Sequence, residues 1–275
     1  MTLKKRRIIL VLCVLAFLIV APFVLLYSNG YRLDSHFHLT QTGGLYVASP
    51  VSGAQIFVNN TLKRTTNLLQ SGLFLQNLKP GNYSVLIAKE GYWPWKKDLD
   101  VKEQMVSEAR ALILPMEPTG RILRQEDLFP SEIEKYETII DSLQQIKKIT
   151  NHNATTTIER FTNHEREKVW WNPGENKIWV EWLKDDSSRP YFLSENKVLV
   201  LNSIYPVRNV DFFPGRRDVI IVAVQNGIFA IEIDGRGGRT LQPIYKGREP
   251  IFTIYKTDPS VYVIDENTLM EIKLE

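Results

Sequence analysis

The sequence is poor in cysteine: its one thiol, Cys13, lies inside a long apolar run. A single cysteine cannot form a disulfide within the chain, so the fold must be held together without that covalent link. A lipid-modified cysteine would need a small residue directly before it, whereas residues 10–12 are Leu-Val-Leu. A thiol buried in an apolar segment also excludes cysteine-based catalysis.

Acidic residues are missing from the first 33 positions, where the basic residues Lys4, Lys5, Arg6 and Arg7 are clustered. Removing these four from the 34 basic residues of the chain leaves 30 against 31 acidic residues. The remaining body is therefore close to neutral and lacks the basic surface that nucleic acids require. We expect no nucleic-acid partner, and we interpret the basic cluster as a topology signal.

Charged residues are also missing from residues 8–26, an apolar run of 19 residues. As a helix this run would span roughly 28 Å, which matches the hydrocarbon core of a bilayer. We predict a retained transmembrane helix over residues 8–27, with membrane lipid as a partner. The positive-inside rule places residues 1–7 in the cytoplasm and the rest of the chain outside the cell membrane. A cleaved signal peptide is the alternative, but its apolar region is shorter and ends in small residues.

Motifs for chemistry are scarce. His36 and His38, with Asp34 nearby, lie in the predicted juxtamembrane linker 28–43 without a further metal ligand. The glycine-rich segment 235–238 is not followed by a helical pattern, so it predicts a hairpin and not a phosphate loop. No serine has a Gly-x-Ser-x-Gly setting. We predict no enzyme, catalytic residue, metal or cofactor, although glycosidase carboxylates need not be close in sequence.

Residues 44–116 have the pattern of a small β-sandwich. Short apolar segments are separated by turn residues, among them Asn59-Asn60 and Pro80-Gly81. Residues 83–88 alternate with a period of two, and residues 109–114 are interpreted as the last strand.

Three segments of this region resemble a known family. They are Ser-Pro-Val-Ser-Gly-Ala-Gln-Ile-Phe-Val at 49–58, Leu-Lys-Pro-Gly-Asn-Tyr-Ser-Val at 78–85 and Lys-Glu-Gly-Tyr-Trp-Pro-Trp at 89–95. Together they resemble a PEGA domain. The sequence departs from the family in two loops: Asn60 stands where glycine is usual, and residues 63–66 replace a Gly-x-Thr-Pro step. The resemblance implies a surface-located β module that contacts ligands without catalysis.

The aromatic residues Tyr92, Trp93 and Trp95 are the candidate ligand contacts. Exposed aromatic side chains stack on sugars or bury themselves in protein interfaces. The alternative is that these side chains seal the sandwich or contact the next domain.

Residues 117–149 are predicted to be a linker followed by an amphipathic helix that begins near Ser131. Apolar residues recur there at spacings of three and four, which is typical of a helix with one buried face. The helix either docks on a β domain or associates with a second copy of itself.

Residues 150–275 contain a weak repeat in which a proline turn precedes an apolar strand. The prolines are Pro173, Pro214 and Pro259. Their spacing of 41 and 45 residues is similar to that of TolB-type and WD-repeat propeller blades. Three blades are too few for a closed ring. We therefore expect a partial propeller, a sandwich of similar pattern, or one part of an oligomeric assembly.

The expected protein is mainly β: an N-terminal transmembrane helix, a PEGA-like sandwich, one amphipathic helix and a blade-like antiparallel domain. The hypothesis that follows is a membrane-anchored binding or scaffolding protein that contacts cell-wall glycan or surface proteins. A structural subunit of an envelope assembly is the first alternative, and an extracytoplasmic hydrolase is the second.

Overall fold

The structure is a computed structural model that describes residues 3–33, 38–151, 157–162, 164–172, 175–255 and 258–274. The first element is helix α1 (Leu3–Ser28), which contains Pro22. It is long and apolar enough to cross a membrane, and none of its apolar side chains is buried against the rest of the described chain. An N-terminal apolar helix was predicted over residues 8–27 and is confirmed, although it begins earlier and includes the basic residues 4–7.

The next part of the chain is a hairpin followed by a sandwich of two sheets. One sheet has the strand order β6-β3-β9, with β3 and β9 parallel, and the other has the order β5-β4-β7-β8. The predicted sandwich is therefore present. The strands are β1 (Tyr31–Leu33), β2 (Leu39–Gln41), β3 (Gly43–Ala48), β4 (Gln55–Val58), β5 (Thr61–Thr65), β6 (Gly72–Leu78), β7 (Gly81–Ala88), β8 (Trp95–Val101) and β9 (Val106–Arg110).

Two tight turns of the sandwich follow directly from the sequence. Asn59 and Asn60 have φ angles of 49° and 61°, a left-handed conformation that asparagine tolerates and that a two-residue hairpin requires. Gly81 lies at the start of β7, after the predicted Pro-Gly turn.

The last strand of the sandwich differs from the prediction. Residues 109–114 were expected to form it, but β9 ends at Arg110. Residues 111–114 are fully buried outside any strand. The Ala111 and Leu112 carbonyls and the Leu114 N–H bond to side chains of the C-terminal part of the chain, and the Ala111 N–H and the Leu114 carbonyl bond to backbone groups of residues 48 and 93.

Helix α2 (Pro130–Asn151) lies where the amphipathic helix was predicted. It begins earlier than Ser131 because the carboxylate of Glu132 accepts a hydrogen bond from the Phe129 N–H at 3.1 Å. Ile139, Leu143 and Ile146 are buried together with residues of the last sheet. The helix therefore docks on a sheet, as one of the two interpretations expected.

The C-terminal part consists of three antiparallel sheets of four strands. The first sheet is β11-β12-β13-β14, the second is β15-β16-β17-β18, and the third is β10-β21-β20-β19. The strand β10 comes from the segment predicted as a linker. The strands are β10 (Gly120–Ile122), β11 (Ile158–Phe161), β12 (Glu167–Asn172), β13 (Lys177–Trp182), β14 (Lys197–Asn202), β15 (Val207–Phe212), β16 (Val219–Val224), β17 (Gly227–Glu232), β18 (Leu241–Lys246), β19 (Ile251–Ile254), β20 (Val261–Asp265) and β21 (Thr268–Ile272).

The second sheet is covered on both faces. Strand β16 is buried at all six positions. Its residues 219, 221 and 223 share a core with the sandwich and the third sheet, whereas residues 220, 222 and 224 pack with the first sheet. Because side chains alternate across a strand, one strand joins two cores.

The proline turns do not occupy equivalent positions. Pro173 and Gly174 lie outside the described residues, between the second and third strands of the first sheet. Pro214 lies between β15 and β16, the first two strands of the second sheet, whereas Pro259 lies between β19 and β20, at the end of the third sheet opposite β10. No closed ring of sheets is formed by the described part of the chain.

Candidate functional site

The sandwich and the second C-terminal sheet meet at a buried polar junction. The indole Nε1 of Trp95 in β8 donates to Glu232 Oε1 at the end of β17, over 2.5 Å. The ammonium of Lys97, two residues further along β8, lies 2.9 Å from Glu232 Oε2 and 3.5 Å from Asp234 Oδ2. It also donates to the Asp234 carbonyl oxygen at 3.0 Å. Since residues two apart in a strand share a face, both side chains point at the same sheet.

The charges at this junction are balanced. The guanidinium of Arg236 lies 2.8 Å from Asp234 Oδ2 and also donates to the Glu108 carbonyl oxygen in β9. Two cations, Lys97 and Arg236, thus face two carboxylates, Glu232 and Asp234. Both carboxylates are engaged by cations of the chain, so the cluster joins the two modules instead of presenting an open acid pair.

Two further side chains hold the buried segment 111–114. Gln242 in β18 donates to the Leu112 carbonyl at 2.7 Å and accepts from the Leu114 N–H at 2.9 Å. Arg216 donates to the Ala111 carbonyl at 2.8 Å and forms a fork with Asp218. The sandwich therefore shares one continuous core with the second and third C-terminal sheets.

This junction removes Trp95 from the candidate ligand contacts. Its side chain is fully buried between the modules and has no surface to offer a ligand. Tyr92 and Trp93 are only partly buried and border the same core. Of the three aromatic residues, these two retain exposed surface.

The polar residues of the junction were not identified from the sequence, although a signal was present. Trp95, Leu99 and Val101 occupy the buried positions of β8, and Lys97 occupies the buried position between them. A lysine within an inward-facing series requires a buried partner. The sequence did not show which residue is the partner, because Glu232 lies far from Lys97 in the chain.

An open groove of about 470 Å³ lies beside the junction. Trp93 forms one wall, Pro243 and Tyr245 of β18 form another, and Met270 of β21 lines it as well. Strand β10 borders the groove. All three of its residues are exposed, and it is an edge strand of the third sheet. The groove thus combines aromatic and apolar walls with a free sheet edge.

The position of Trp93 is set by backbone pairing. Its N–H donates to the Leu114 carbonyl at 2.8 Å, and the Met116 N–H donates to the Gly91 carbonyl at 2.8 Å. In the same segment, the Lys89 ammonium lies 4.5 Å from the centre of the Tyr92 ring. The backbone of this aromatic segment is therefore tied to residues 114 and 116.

The polar side chains that line the groove include Arg121, Tyr245 and Lys246. The Nε of Arg121 lies 2.6 Å from Glu271 Oε2, and most of the Arg121 side chain remains exposed. The Tyr245 hydroxyl donates to Asp265 Oδ2 at 3.1 Å. Burial, together with the negative charge of Asp265, raises the pKa of Tyr245 to about 12, so the hydroxyl stays neutral at physiological pH.

The remaining candidate residues from the sequence lie in loops or outside the described residues. His36 and Asp34 lie outside the described residues, and His38 is exposed. Within the described ranges, no three His, Cys, Asp or Glu side chains are grouped as metal ligands. Residues 235–238 belong to the connection between β17 and β18, as the predicted hairpin requires, and Gly237 packs against the backbone of Asp98.

Comparison with known proteins supports the N-terminal module only. No curated protein matches the chain. No family model confirms the propeller-like resemblance of residues 150–275. The family model of the PEGA domain matches residues 42–112, which contain both sheets of the sandwich together with Tyr92, Trp93 and Trp95.

Proposed function

We propose that this protein is a membrane-anchored, extracytoplasmic binding protein whose groove contacts cell-wall glycan. The observation that carries the proposal is the groove itself, which needs Trp93 from one module and Tyr245 from the other. The buried junction joins the two modules that supply these walls. A preformed site with aromatic walls and a few polar groups suits the apolar faces and hydroxyls of a sugar chain.

The placement outside the cytoplasm rests on two supports. Lys4, Lys5, Arg6 and Arg7 precede the apolar helix, which favours a cytoplasmic N-terminus. A PEGA domain is commonly extracellular. The retained helix α1 then serves as a single-pass anchor in the cell membrane.

Co-sedimentation of the detergent-solubilised full chain with purified cell-wall glycan tests the proposal. We expect the wild-type chain to sediment with the glycan and Trp93→Ala to lose at least tenfold in affinity. Trp170→Ala is the matched control, because Trp170 stacks on Trp179 in the first sheet, away from the groove. Equal sedimentation of Trp93→Ala and wild type would remove the groove as the site. No sedimentation of the wild type would exclude glycan as the ligand.

A scaffolding role is the second candidate, and one observation favours it. Leu68 and Leu69 are 93% and 95% exposed at the tip of the turn between β5 and β6. The side-chain oxygen of Asn67 accepts from the backbone N–H groups of Leu69 and Gln70, which closes the turn. Two exposed leucines on a hydrogen-bonded turn suit insertion into a partner subunit.

Crosslinking in native membranes separates the two candidates. A single discrete oligomer that is lost in Leu68→Ser plus Leu69→Ser supports scaffolding. A monomer that binds glycan supports the first proposal. A hydrolase is less well supported, because the converging carboxylates Glu232 and Asp234 are engaged by Lys97 and Arg236.

A further inference from the structure

The end of helix α1 is joined to the sandwich by hydrogen bonds. The Gly30 carbonyl, two residues after the helix, accepts from the Thr42 N–H at 3.0 Å and from the Thr42 hydroxyl at 2.9 Å. Thr42 is buried and directly precedes β3. The first strand of the sandwich therefore starts next to the last turn of the helix, and the β1–β2 hairpin projects from this point.

Arg32 forms a second connection. Its guanidinium lies 3.7 Å from the centre of the Tyr27 ring and donates to the Tyr27 carbonyl at 2.8 Å. It also donates to the side-chain oxygen of Asn77, near the end of β6, at 2.8 Å. The last turn of the helix is thus connected to β6 through Arg32, and the residues that follow it are connected to the start of β3 through Thr42.

The turn between β8 and β9 lies at the same end of the sandwich. The Gln104 N–H donates to the Thr42 carbonyl at 3.0 Å, and the Gly44 N–H donates to the Met105 carbonyl at 2.9 Å. Thr42 is therefore hydrogen-bonded both to Gly30, next to the helix end, and to Gln104 in this turn. The Met105 side chain there is 58% exposed.

An exposed apolar surface continues from Met105 along the outer face of the β6-β3-β9 sheet. Phe74 and Val106 close over Gly44, where a Cβ would lie 3.2 Å and 3.3 Å from their side chains. Tyr46 packs edge-on against Phe74 with ring centres 6.4 Å apart. Met105, Val106, Phe74 and Tyr46 all remain exposed, so an apolar surface extends from the β8–β9 turn onto the sheet.

We propose that the apolar end of the sandwich, made of Met105, Val106 and the ring edge of Phe74 that covers Gly44, rests in the headgroup layer of the membrane that α1 crosses. The proposal rests on the membrane anchoring proposed above. The headgroup layer is roughly 5–8 Å deep on each side of the hydrocarbon core. A turn two hydrogen bonds from the helix end reaches this layer, and aromatic and apolar side chains are favoured there. The sandwich would then contact the bilayer at this end, separately from the glycan proposed to bind in the groove.

Depth-dependent fluorescence quenching tests this docking with the full chain in phosphatidylcholine vesicles. An environment-sensitive dye is attached at Met105→Cys in a Cys13→Ala background. The matched control is Leu68→Cys, which is equally apolar but lies beyond the other end of β6, a strand of roughly 20 Å. We expect nitroxide lipids to quench the dye at position 105 at least threefold more than the dye at position 68. Equal quenching at the two positions would overturn the docking.

Two further measurements keep the outcome interpretable. Thermal unfolding of both labelled variants establishes that the sandwich is folded. Arg32→Ala should lower the quenching at position 105 without releasing the chain from the vesicles. If the chain fails to float with the vesicles, the proposed anchoring is wrong. If the chain floats but the dyes at positions 105 and 68 are quenched equally, only the proposed docking is wrong. Glycan plays no part in either result.

Discussion

Lys97 of the sandwich and Glu232 of the second C-terminal sheet form an ion pair of 2.9 Å in which the two side chains are 1% and 3% exposed. Removing one partner of a buried ion pair leaves an unpaired buried charge, which lowers the free energy of unfolding by about 3–5 kcal/mol. We expect Lys97→Met to reduce the free energy of unfolding by about this amount. Lys96→Met, on the exposed face of the same strand, should change it by less than about 0.5 kcal/mol. Denaturant unfolding of the full chain in detergent measures both.

The same pair predicts coupling between its members. The double variant Lys97→Met plus Glu232→Gln should lose less stability than the sum of the two single variants, because no unpaired charge remains at this position. Additive effects of the two substitutions would contradict the junction described here.

Trp95 and Trp93 should behave differently although they are two residues apart. Trp95 is fully buried and donates to Glu232, so Trp95→Ala should reduce the free energy of unfolding by about 3–5 kcal/mol. Trp93 borders the groove and is partly exposed, so Trp93→Ala should cost less than half as much. Thermal and denaturant unfolding of the two variants provide the comparison. Equal losses would show that both indoles serve mainly to join the modules.

Gly237 and Gly238 provide a matched pair at the junction. Both have positive φ, of 60° and 95°, so alanine is strained at either position. A Cβ at Gly237 would also overlap the backbone of Asp98, whereas a Cβ at Gly238 would meet nothing within 4 Å. We expect Gly237→Ala to be less stable than Gly238→Ala by about 1–3 kcal/mol in denaturant unfolding. Equal stability of the two variants would argue against close packing of this loop on the sandwich.

Acid should weaken the contact between α2 and the third sheet. Burial alone would raise the pKa of Asp258, but hydrogen bonds from Lys135, Ser260 and Tyr262 outweigh it and lower the pKa. The Lys135 ammonium lies 2.6 Å from the Asp258 carboxylate. Because the folded pKa is below the unfolded value of about 3.9, Asp258 contributes stability above that pH and loses it as the pH falls further.

Melting curves at pH 7 and pH 3 measure this contribution. Asp258→Asn should lower the melting temperature at pH 7 and should show a smaller further drop at pH 3 than the wild type. Asp141→Asn, at an exposed position of α2, should behave like the wild type. An unchanged pH dependence in Asp258→Asn would exclude this carboxylate as a source of acid sensitivity.

Local patterns predicted most of the elements. The apolar run indicated α1, the Asn-Asn and Pro-Gly turns indicated the hairpins of the sandwich, and the spacing of three and four indicated α2. These features depend on neighbouring residues, whose conformational preferences and periodicity are visible in any short window of the chain. Residues 111–114 show what local patterns could not predict. Their apolar character indicated burial correctly, but their lack of strand structure depends on Gln242 and Arg216, which lie more than 100 residues away.

The sequence by itself determined that an uncharged helix precedes a small sandwich, a second helix and further β structure, because periodicity and turn chemistry are local. Only the tertiary structure decided that Trp95 is buried while Trp93 borders a groove, and that Lys97 has Glu232 as its partner. Exposure and ion pairing depend on which distant strand lies against β8. The packing of two whole modules around one core determines which strand lies there. A short segment of the chain does not contain this information.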